Sequence, residues 1–498
     1  MHTLRHAEPT RPLAAIDIGS NSFRLEIAQL EHGRYRRIDY IKETVRLGGG
    51  LDAEGRLGEE AMQRGLACLA RFAERLKPLQ AWQVRAVATQ TLREARNRDE
   101  FLARAGAVLD HGIEVISGRE EARLIYAGVA HLQPSNRRRL VIDIGGRSTE
   151  MILGSGRTPM AAESFAVGSV GLSMRYFADG RLTADAFRAA QVAAGAEIEE
   201  ALGTFAPSRW EEALGSSGTA GAVSQLLAAE GITDGRITPA GLAWCIERCI
   251  EAGHVDQLPF AALKPERKPV IPGGLAILYT LCALLRIDAL LPAKGALRQG
   301  VIVELDARLR ASQRPHPIDM RDRSVAELQR RFGVDTGQAQ RVERMALALH
   351  EQLGGEGEAR RELGWAAALH EIGMLVSHHD HHRHSAYLLS HVDAAGFSQS
   401  QQRYLAALVL GQRGGLRKVE AEFGGRDYPW QLLCLRLAVI ACHVRSGKPP
   451  LHWKLGREAA SAVLEPGPCE PRTLYLLREE AAAWERSGVL RLVLPVAG

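Results

Sequence analysis

The chain has 498 residues, 46% of them hydrophobic and 24% charged, enough for about three or four domains with ample cores. A formal net charge of +5 suits an anionic substrate and is too small to signal a nucleic-acid partner, and aromatic residues at 5% leave little material for base-stacking platforms. The residues through Pro12 lack the apolar run of a secretory leader, the apolar stretch at 275–285 is too short to span a bilayer, and seven scattered Cys lack zinc-like spacing, so a reducing cytoplasm is the expected compartment.

Residues 1–13 read as a flexible N-terminus. An apolar strand at 14–16 then runs into Asp17 and a turn of Gly19, Ser20, Asn21 and Ser22 before a second strand at 23–27. That is hairpin grammar. Glycine allows the turn to approach a ligand closely enough for successive backbone N–H groups to converge on phosphate oxygens, with Ser20, Asn21 and Ser22 as added donors. Asp17 would be repelled by phosphate and suits Mg²⁺ or a water ordered by it. The stretch Glu59–Leu76 places Ala61, Leu66, Leu69, Phe72, Ala73 and Leu76 at helical spacing. A strand at 84–88 ends in Thr89-Gln90-Thr91-Leu92-Arg93, and another at 113–116 leads through Ser117-Gly118-Arg119 into Glu120 and Glu121 at a helix start. Either glutamate could face a cleft as a base, or both could simply favour the helix N-terminus. Arg93 offers a planar fork for phosphate oxygens, or a solvated surface charge.

The hairpin then recurs. VIDIGGRSTEMIL at 141–153 repeats AIDIGSNSFRLEI at 15–27, with Asp143 in the place of Asp17, a turn of Gly145, Gly146, Arg147, Ser148 and Thr149, and Glu150 behind it. One such turn is common, but two with the same Asp and flanks point to two related α/β domains, 14–135 and 136–306, closing over a phosphate chain. A third loop, GSSGTAG at 215–221, enters a helix and offers an anion site through Ser217, Gly218 and Thr219. Residues 307–324, rich in Arg and Pro, read as a linker. The pattern at 325–450 is all-helical, and 451–498 reads as a small α/β region with a closing strand near 489–493.

Joined by TQTLRE (89–94), ISGREEARLIY (116–126), PGGLAIL (272–278) and GALRQGV (295–301) in this order, these motifs resemble the bacterial exopolyphosphatase and guanosine pentaphosphatase family over nearly the whole chain. The resemblance implies two actin-like, sugar-kinase-like (ribonuclease H-like) α/β domains followed by a helical HD-like domain. It also implies processive removal of terminal phosphate from inorganic polyphosphate, with Mg²⁺ as cofactor, Glu121 as the base that activates water, and Asp143 and Glu150 as carboxylates at the metal. A homodimer and a peripheral membrane contact are further expectations from the family. Hydrolysis of guanosine pentaphosphate (pppGpp) at the same site is the close alternative. A sugar-kinase-type enzyme would need an adenosine pocket and an acceptor base, which the sequence does not display, and a non-enzymatic polyphosphate sensor is a third reading.

Two departures from the family pattern stand out. Arg147 replaces a third glycine, where it could offer charge to the substrate or crowd a turn that needs a positive φ; retained activity with altered affinity or preferred chain length is expected. In the helical half, His370 is followed by Glu371 in place of Asp, a run of His378, His379, His381, His382 and His384 surrounds Asp380, and Gly411-Gln412-Arg413-Gly414 lacks a histidine usual in the family. A structural or polyphosphate-guiding role is expected there over metal catalysis. Arg137, Arg138, Arg139, Lys264, Arg267, Lys268 and Arg383 are candidate guides for a long polyanion.

Overall fold

The computed structural model describes residues 11–31, 33–312, 319–425, 427–445, 452–458 and 460–494. The chain divides into two units between a helix ending at Ser312 and one beginning at Met320. In the first unit, one plan is used twice. Strands β1 (Leu13–Ile18), β2 (Ser22–Glu31), β3 (Arg34–Thr44), β4 (Val84–Ala88) and β5 (Ile113–Val115) form a sheet ordered β3-β2-β1-β4-β5. Its β1–β2 and β2–β3 pairs are antiparallel, whereas β1–β4 and β4–β5 are parallel. Strands β6 (Arg138–Ile144), β7 (Thr149–Ser155), β8 (Thr158–Phe165), β9 (Glu212–Ser216) and β10 (Leu290–Pro292) repeat the order and the directions as β8-β7-β6-β9-β10. The repeated hairpins of the sequence are thus the β1–β2 and β6–β7 corners of a duplicated, actin-like α/β fold.

Every residue of β1 is buried, because both faces of its sheet are covered. Helices Glu59–Leu76 and Arg98–Leu109 contribute Leu69, Phe72 and Phe101 to the core on one face. On the other face, helices Gly118–Leu132 and Leu297–Ser312 share a core with both sheets, joining Ala15 and Val87 of the first to Val141 and Leu214 of the second. The two helices come so close that a Cβ at Gly300 would collide with the Leu124 carbonyl. This contact is the physical reason for glycine in the GALRQGV motif. Arg85 of β4 pins the same helix, reaching Glu304 at 3.2 Å and Glu114 of β5 at 3.0 Å. The second sheet's outer core is closed by helices Ala184–Ile198, Ser217–Ala229, Pro239–Ala252 and Ile271–Leu284.

The linker expected at 307–324 is largely helix. Arg308 and Arg310 continue helix Leu297–Ser312 through i,i+4 pairs with Glu304 at 2.6 Å and Asp306 at 2.8 Å, and Asp319 caps a helix at Met320–Arg331. What reads as an irregular basic stretch is a salt-bridged helix face. Residues 313–318, and residues 1–10 of the expected flexible N-terminus, lie outside the described residues.

The second unit packs helices Met320–Arg331, Thr336–Gln352, Gly357–Leu369, His381–His391, Gln399–Gly411 and Tyr428–Ala441 around one core. The region read as separate from 451 onward shares that core. Strands β11 (Lys454–Glu458), β12 (Ser461–Glu465) and β13 (Arg491–Val493), with helix Pro471–Ser487, insert Leu455, Leu464, Leu477, Trp484 and Leu492 into it. All seven Cys are free, and no helix among the described residues is long and apolar enough to cross a membrane.

Candidate active site

Pairing of β1 with β2 sets Asp17 opposite Arg24, and the pair closes as a salt bridge of 3.0 Å. Arg298, from the helix that holds the GALRQGV motif, approaches Asp17 at 3.6 Å and Glu26 at 3.3 Å, with its guanidinium over the Tyr40 ring. At the matching position of the second sheet, β6 with β7 sets Asp143 opposite Glu150. Both carboxylates are buried, and Ser164 donates to Glu150 at 2.8 Å. Burial raises the pKa of Asp143 to about 6, with Asp17 adding to the rise and Ser216 and Arg24 opposing it. Burial, then Glu121 and Asp143, raise Glu150 well above the usual carboxylate range. The first corner is electrically balanced, and the second is short of positive charge.

The third loop joins β9 to helix Ser217–Ala229. Ser217 adopts φ +74°, and the Ser217 and Thr219 hydroxyls both donate to the Ile144 carbonyl, at 2.9 and 3.0 Å. Those bonds fix the helix N-terminus against the end of β6, leaving backbone N–H groups for an anion. A methyl group at Gly218 would collide with the Arg267 guanidinium.

Helix Gly118–Leu132 starts at Ser117, whose hydroxyl accepts from the Glu120 N–H at 3.2 Å. The two glutamates that are equivalent in sequence separate here. Glu120 is held by Arg123 through bonds of 2.8 and 2.7 Å, whereas Glu121 lines the cavity between the loops. Arg93 donates to Glu121 at 2.8 Å and to the Ile116 carbonyl at 3.0 Å. Burial raises Glu121 to about 7, against the opposing effect of Arg93 and with Asp17 and Asp143 adding to the rise. A buried carboxyl with a pKa near neutrality is suited to general-base work.

The cavity measures about 90 Å³ and gathers residues of all three loops with Glu121, Arg24 and Arg267. Residues 27–308 match the Ppx/GppA phosphatase family, and residues 320–461 match domain III of Ppx/GppA phosphatases. The chain belongs to the Ppx/GppA phosphatase family. It is 39% identical over 440 residues to a guanosine-5'-triphosphate,3'-diphosphate pyrophosphatase of Vibrio cholerae, covering 87% of each chain. Among solved structures, a PPX-GPPA enzyme of Aquifex aeolicus aligns with TM-score 0.50 and 26% identity over 59% of this chain and 99% of its own. An exopolyphosphatase from Cytophaga hutchinsonii shares the fold at TM-score 0.54 and 23% identity, over 59% of this chain and 98% of its own.

Within this Ppx/GppA site, the cavity wall holds Asp17, Gly19, Ser20, Asn21, Ser22, Asp143, Gly145, Gly146, Ser148, Ser217, Gly218 and Thr219 together with Glu121. Four expected residues do not line it. Glu150 lies behind Asp143 on β7. Arg93, expected as a phosphate contact, is committed to Glu121 and Gln90, so it is placed to orient the Glu121 carboxyl. Thr149 donates to the Val167 carbonyl at 2.6 Å. Arg147 turns to Glu94, with bonds of 2.8 and 2.7 Å, and to the Gly48 carbonyl at 3.4 Å, and its backbone is not left-handed. It neither reaches the cavity nor strains the turn, because Glu94 of the TQTLRE motif neutralises it.

Several cavity residues escaped the sequence reading. Arg24, on the cavity wall, stands in the first repeat, and Arg298, which pairs with Asp17 and Glu26 behind that wall, stands in GALRQGV, so both lie inside motifs but are unmarked by any spacing rule. Arg267, counted only as a surface guide, lines the cavity, where burial and Arg24 lower its pKa. Burial, then Arg267 and Arg24, lower the Lys42 ammonium of β3 to about 8. Arg139, another expected guide, is instead buried against Glu212 at 2.6 Å. Among the described residues, no three His, Cys, Asp or Glu side chains are gathered closely enough to hold a metal ion, and this includes the histidines of the helical half.

Proposed function

We propose that the chain hydrolyses the terminal 5'-phosphoanhydride of guanosine 5'-triphosphate,3'-diphosphate, releasing orthophosphate after attack by a water activated at Glu121. The observation that carries the hydrolytic reading is Glu121 itself, a buried carboxyl raised to about 7, fixed by Arg93 and facing a cavity walled by three N–H-bearing loops. Phosphoryl transfer asks the protein mainly for position and charge. Glu121 takes a proton from the water as the O–P bond forms, and the guanosine 5'-diphosphate end leaves as the phosphoanhydride bond breaks. Backbone N–H groups of the Asp17, Asp143 and Ser217 loops hold phosphoryl oxygens, while Arg24 and Arg267 supply positive charge.

The donor set fits Mg²⁺. Asp143 and Glu150 are paired buried carboxylates with raised pKa values, and Mg²⁺ commonly takes one or two carboxylates and completes its shell with water and substrate phosphate. When bound, the ion supplies charge neutralisation at the phosphates. Chelation is expected to abolish phosphate release and added Mg²⁺ to restore it.

The nucleotide stands ahead of inorganic polyphosphate on the likeness, 39% over 440 residues, to a protein named for that nucleotide. Exopolyphosphatase activity, the first expectation from the motifs, is the second reading. Phosphate release from each substrate alone and in competition separates the two. We expect kcat/KM at least about tenfold higher on the nucleotide, a difference of about 1.4 kcal/mol in transition-state binding; the opposite order would restore polyphosphate.

A further inference from the structure

Helix Leu297–Ser312 begins at the Glu121 cavity and turns away from it within one residue. Ala296 and Leu297 line the cavity, and Arg298 reaches behind the wall to the first sheet. On β2, Arg24 and Glu26 are two residues apart and share one face of that sheet. The register sets Asp17 of β1 and Lys42 of β3 on either side of Arg24, and Ala15 and Tyr40 on either side of Glu26. The Arg298 guanidinium lies over this patch, 3.6 Å from Asp17 through Nη1 and 3.3 Å from Glu26 through Nε, with its Cζ 5.1 Å from the centre of the Tyr40 ring. Glu26 is 1% exposed and also accepts from the Tyr35 hydroxyl and from Gln299 Nε2, each at 2.7 Å. A carboxylate held by three donors is an anchor, and it fixes the Arg298 fork in one place. The same helix is fixed to the helix that carries Glu121, since Gly300 abuts the Leu124 carbonyl.

The arrangement answers an electrostatic problem at the first phosphate loop. Asp17 lines the cavity and would repel a phosphate chain. Its salt bridge to Arg24, at 3.0 Å, neutralises that charge but uses the Arg24 charge to do so. A carboxylate has lone pairs enough for two guanidinium groups. With Arg298 on its other side, Asp17 is shared, and part of the Arg24 charge is left for an anion in the cavity. The neighbouring cations show the result. Burial first, and then nearby cations that include Arg24, lower both Lys42 and Arg267, which is the mark of positive charges gathered with too little negative charge among them. Arg298 is therefore placed to act on the substrate through Asp17 and Arg24, without touching it.

We propose that Arg298, mounted on Glu26, is a positioning residue for the substrate's phosphate chain: it takes up the Asp17 carboxylate from behind and leaves Arg24 to the phosphoryl oxygens. The proposal rests on the reading of the Glu121 cavity as the hydrolytic site. The test compares the parent with Arg298→Met and Arg298→Lys in phosphate release, on whichever of the nucleotide and polyphosphate the parent turns over faster, and in competitive inhibition by orthophosphate. Arg24 would hold phosphate in the ground state and the transition state alike, so Arg298→Met should raise KM and the orthophosphate inhibition constant at least tenfold with kcat within about threefold. Lysine keeps the charge but reaches only one of the two carboxylates, so Arg298→Lys should raise both constants by about threefold or more, and it decides the matter alone if the Met variant does not fold. A lower Tm with both constants within twofold of the parent would make Arg298 a structural brace only and overturn the proposal, as would a fall in kcat at unchanged KM. A parent that releases no phosphate from either substrate would sink the hydrolytic reading as well, whereas an active parent with unaffected variants sinks this proposal alone.

Discussion

The β1–β2 and β6–β7 corners share strand order, register and a turn after the same aspartate, yet their charges differ. Asp17 faces Arg24 across its hairpin, whereas Asp143 faces Glu150. A duplicated fold has kept the backbone that presents N–H groups to phosphate and changed one cross-strand partner. With Arg24 the first corner is satisfied by the protein. With Glu150 the second holds like charges side by side, a cost relieved only by protons or an added cation. Glu121 stands against this acidic corner, which helps to raise Glu150.

The difference can be broken first at the carboxylates. Asp143→Asn should lower kcat/KM by ~10²–10³-fold, a range typical for loss of one preorganised charge contact, and remove any rise in Tm produced by Mg²⁺. Asp17→Asn should retain that rise. Equal loss of Mg²⁺ stabilisation in both variants would mean that the two corners do not divide these roles. Arg93→Ala comes next. Arg93 lowers the pKa of Glu121, so its removal should move the acid limb of the kcat/KM profile to higher pH and reduce activity at pH 6 by about tenfold or more.

Stability should separate the corners by sign. Asp17→Asn strips Arg24 of its charge partner and should lower unfolding free energy by about 1–3 kcal/mol. Glu150→Gln replaces a carboxyl whose ionised form is disfavoured by burial, Glu121 and Asp143, and should raise the Tm of the ligand-free protein, most at alkaline pH where the carboxyl would otherwise have to ionise. The pH dependence has a matching sign: the folded pKa of Glu121, about 7, lies above its ordinary 4.5, so the folded state retains a proton that the unfolded chain has lost. Its stabilising contribution is full below about pH 4.5 and is lost as pH rises through 7, and Glu121→Gln should flatten that decline in thermal unfolding curves. The smallest effect is expected from Arg147→Gly, with kcat/KM within about twofold on short and long substrates and a loss of about 0.2–1 kcal/mol, the worth of a partly exposed ion pair.

The doubled strand-turn-strand pattern was legible because buried apolar strands followed by Asp and glycine leave a local signature. Helix Glu59–Leu76 was equally legible, since one face is apolar and the other charged. Helix Tyr428–Ala441 lies inside the stretch read as all-helical but could not be bounded or given a face, because its residues from Tyr428 to Ala438 are all buried and no period survives where every face is covered. At the site, the loops and the Glu121 region could be found from residue type and motif. The partners could not. Whether Arg93 meets phosphate or Glu121, whether Arg147 meets phosphate or Glu94, and whether Arg267 is surface or cavity wall are matters of tertiary approach, invisible to spacing along the chain.

The most direct measurement is the pH–rate profile of phosphate release from guanosine 5'-triphosphate,3'-diphosphate by the parent and by Glu121→Gln. We expect the parent's kcat/KM to rise with pH through an acid limb near 7, and the variant to lose about 10²–10⁴-fold together with that limb. A variant that keeps more than about a tenth of the activity, with the same limb, would show that Glu121 is not the base.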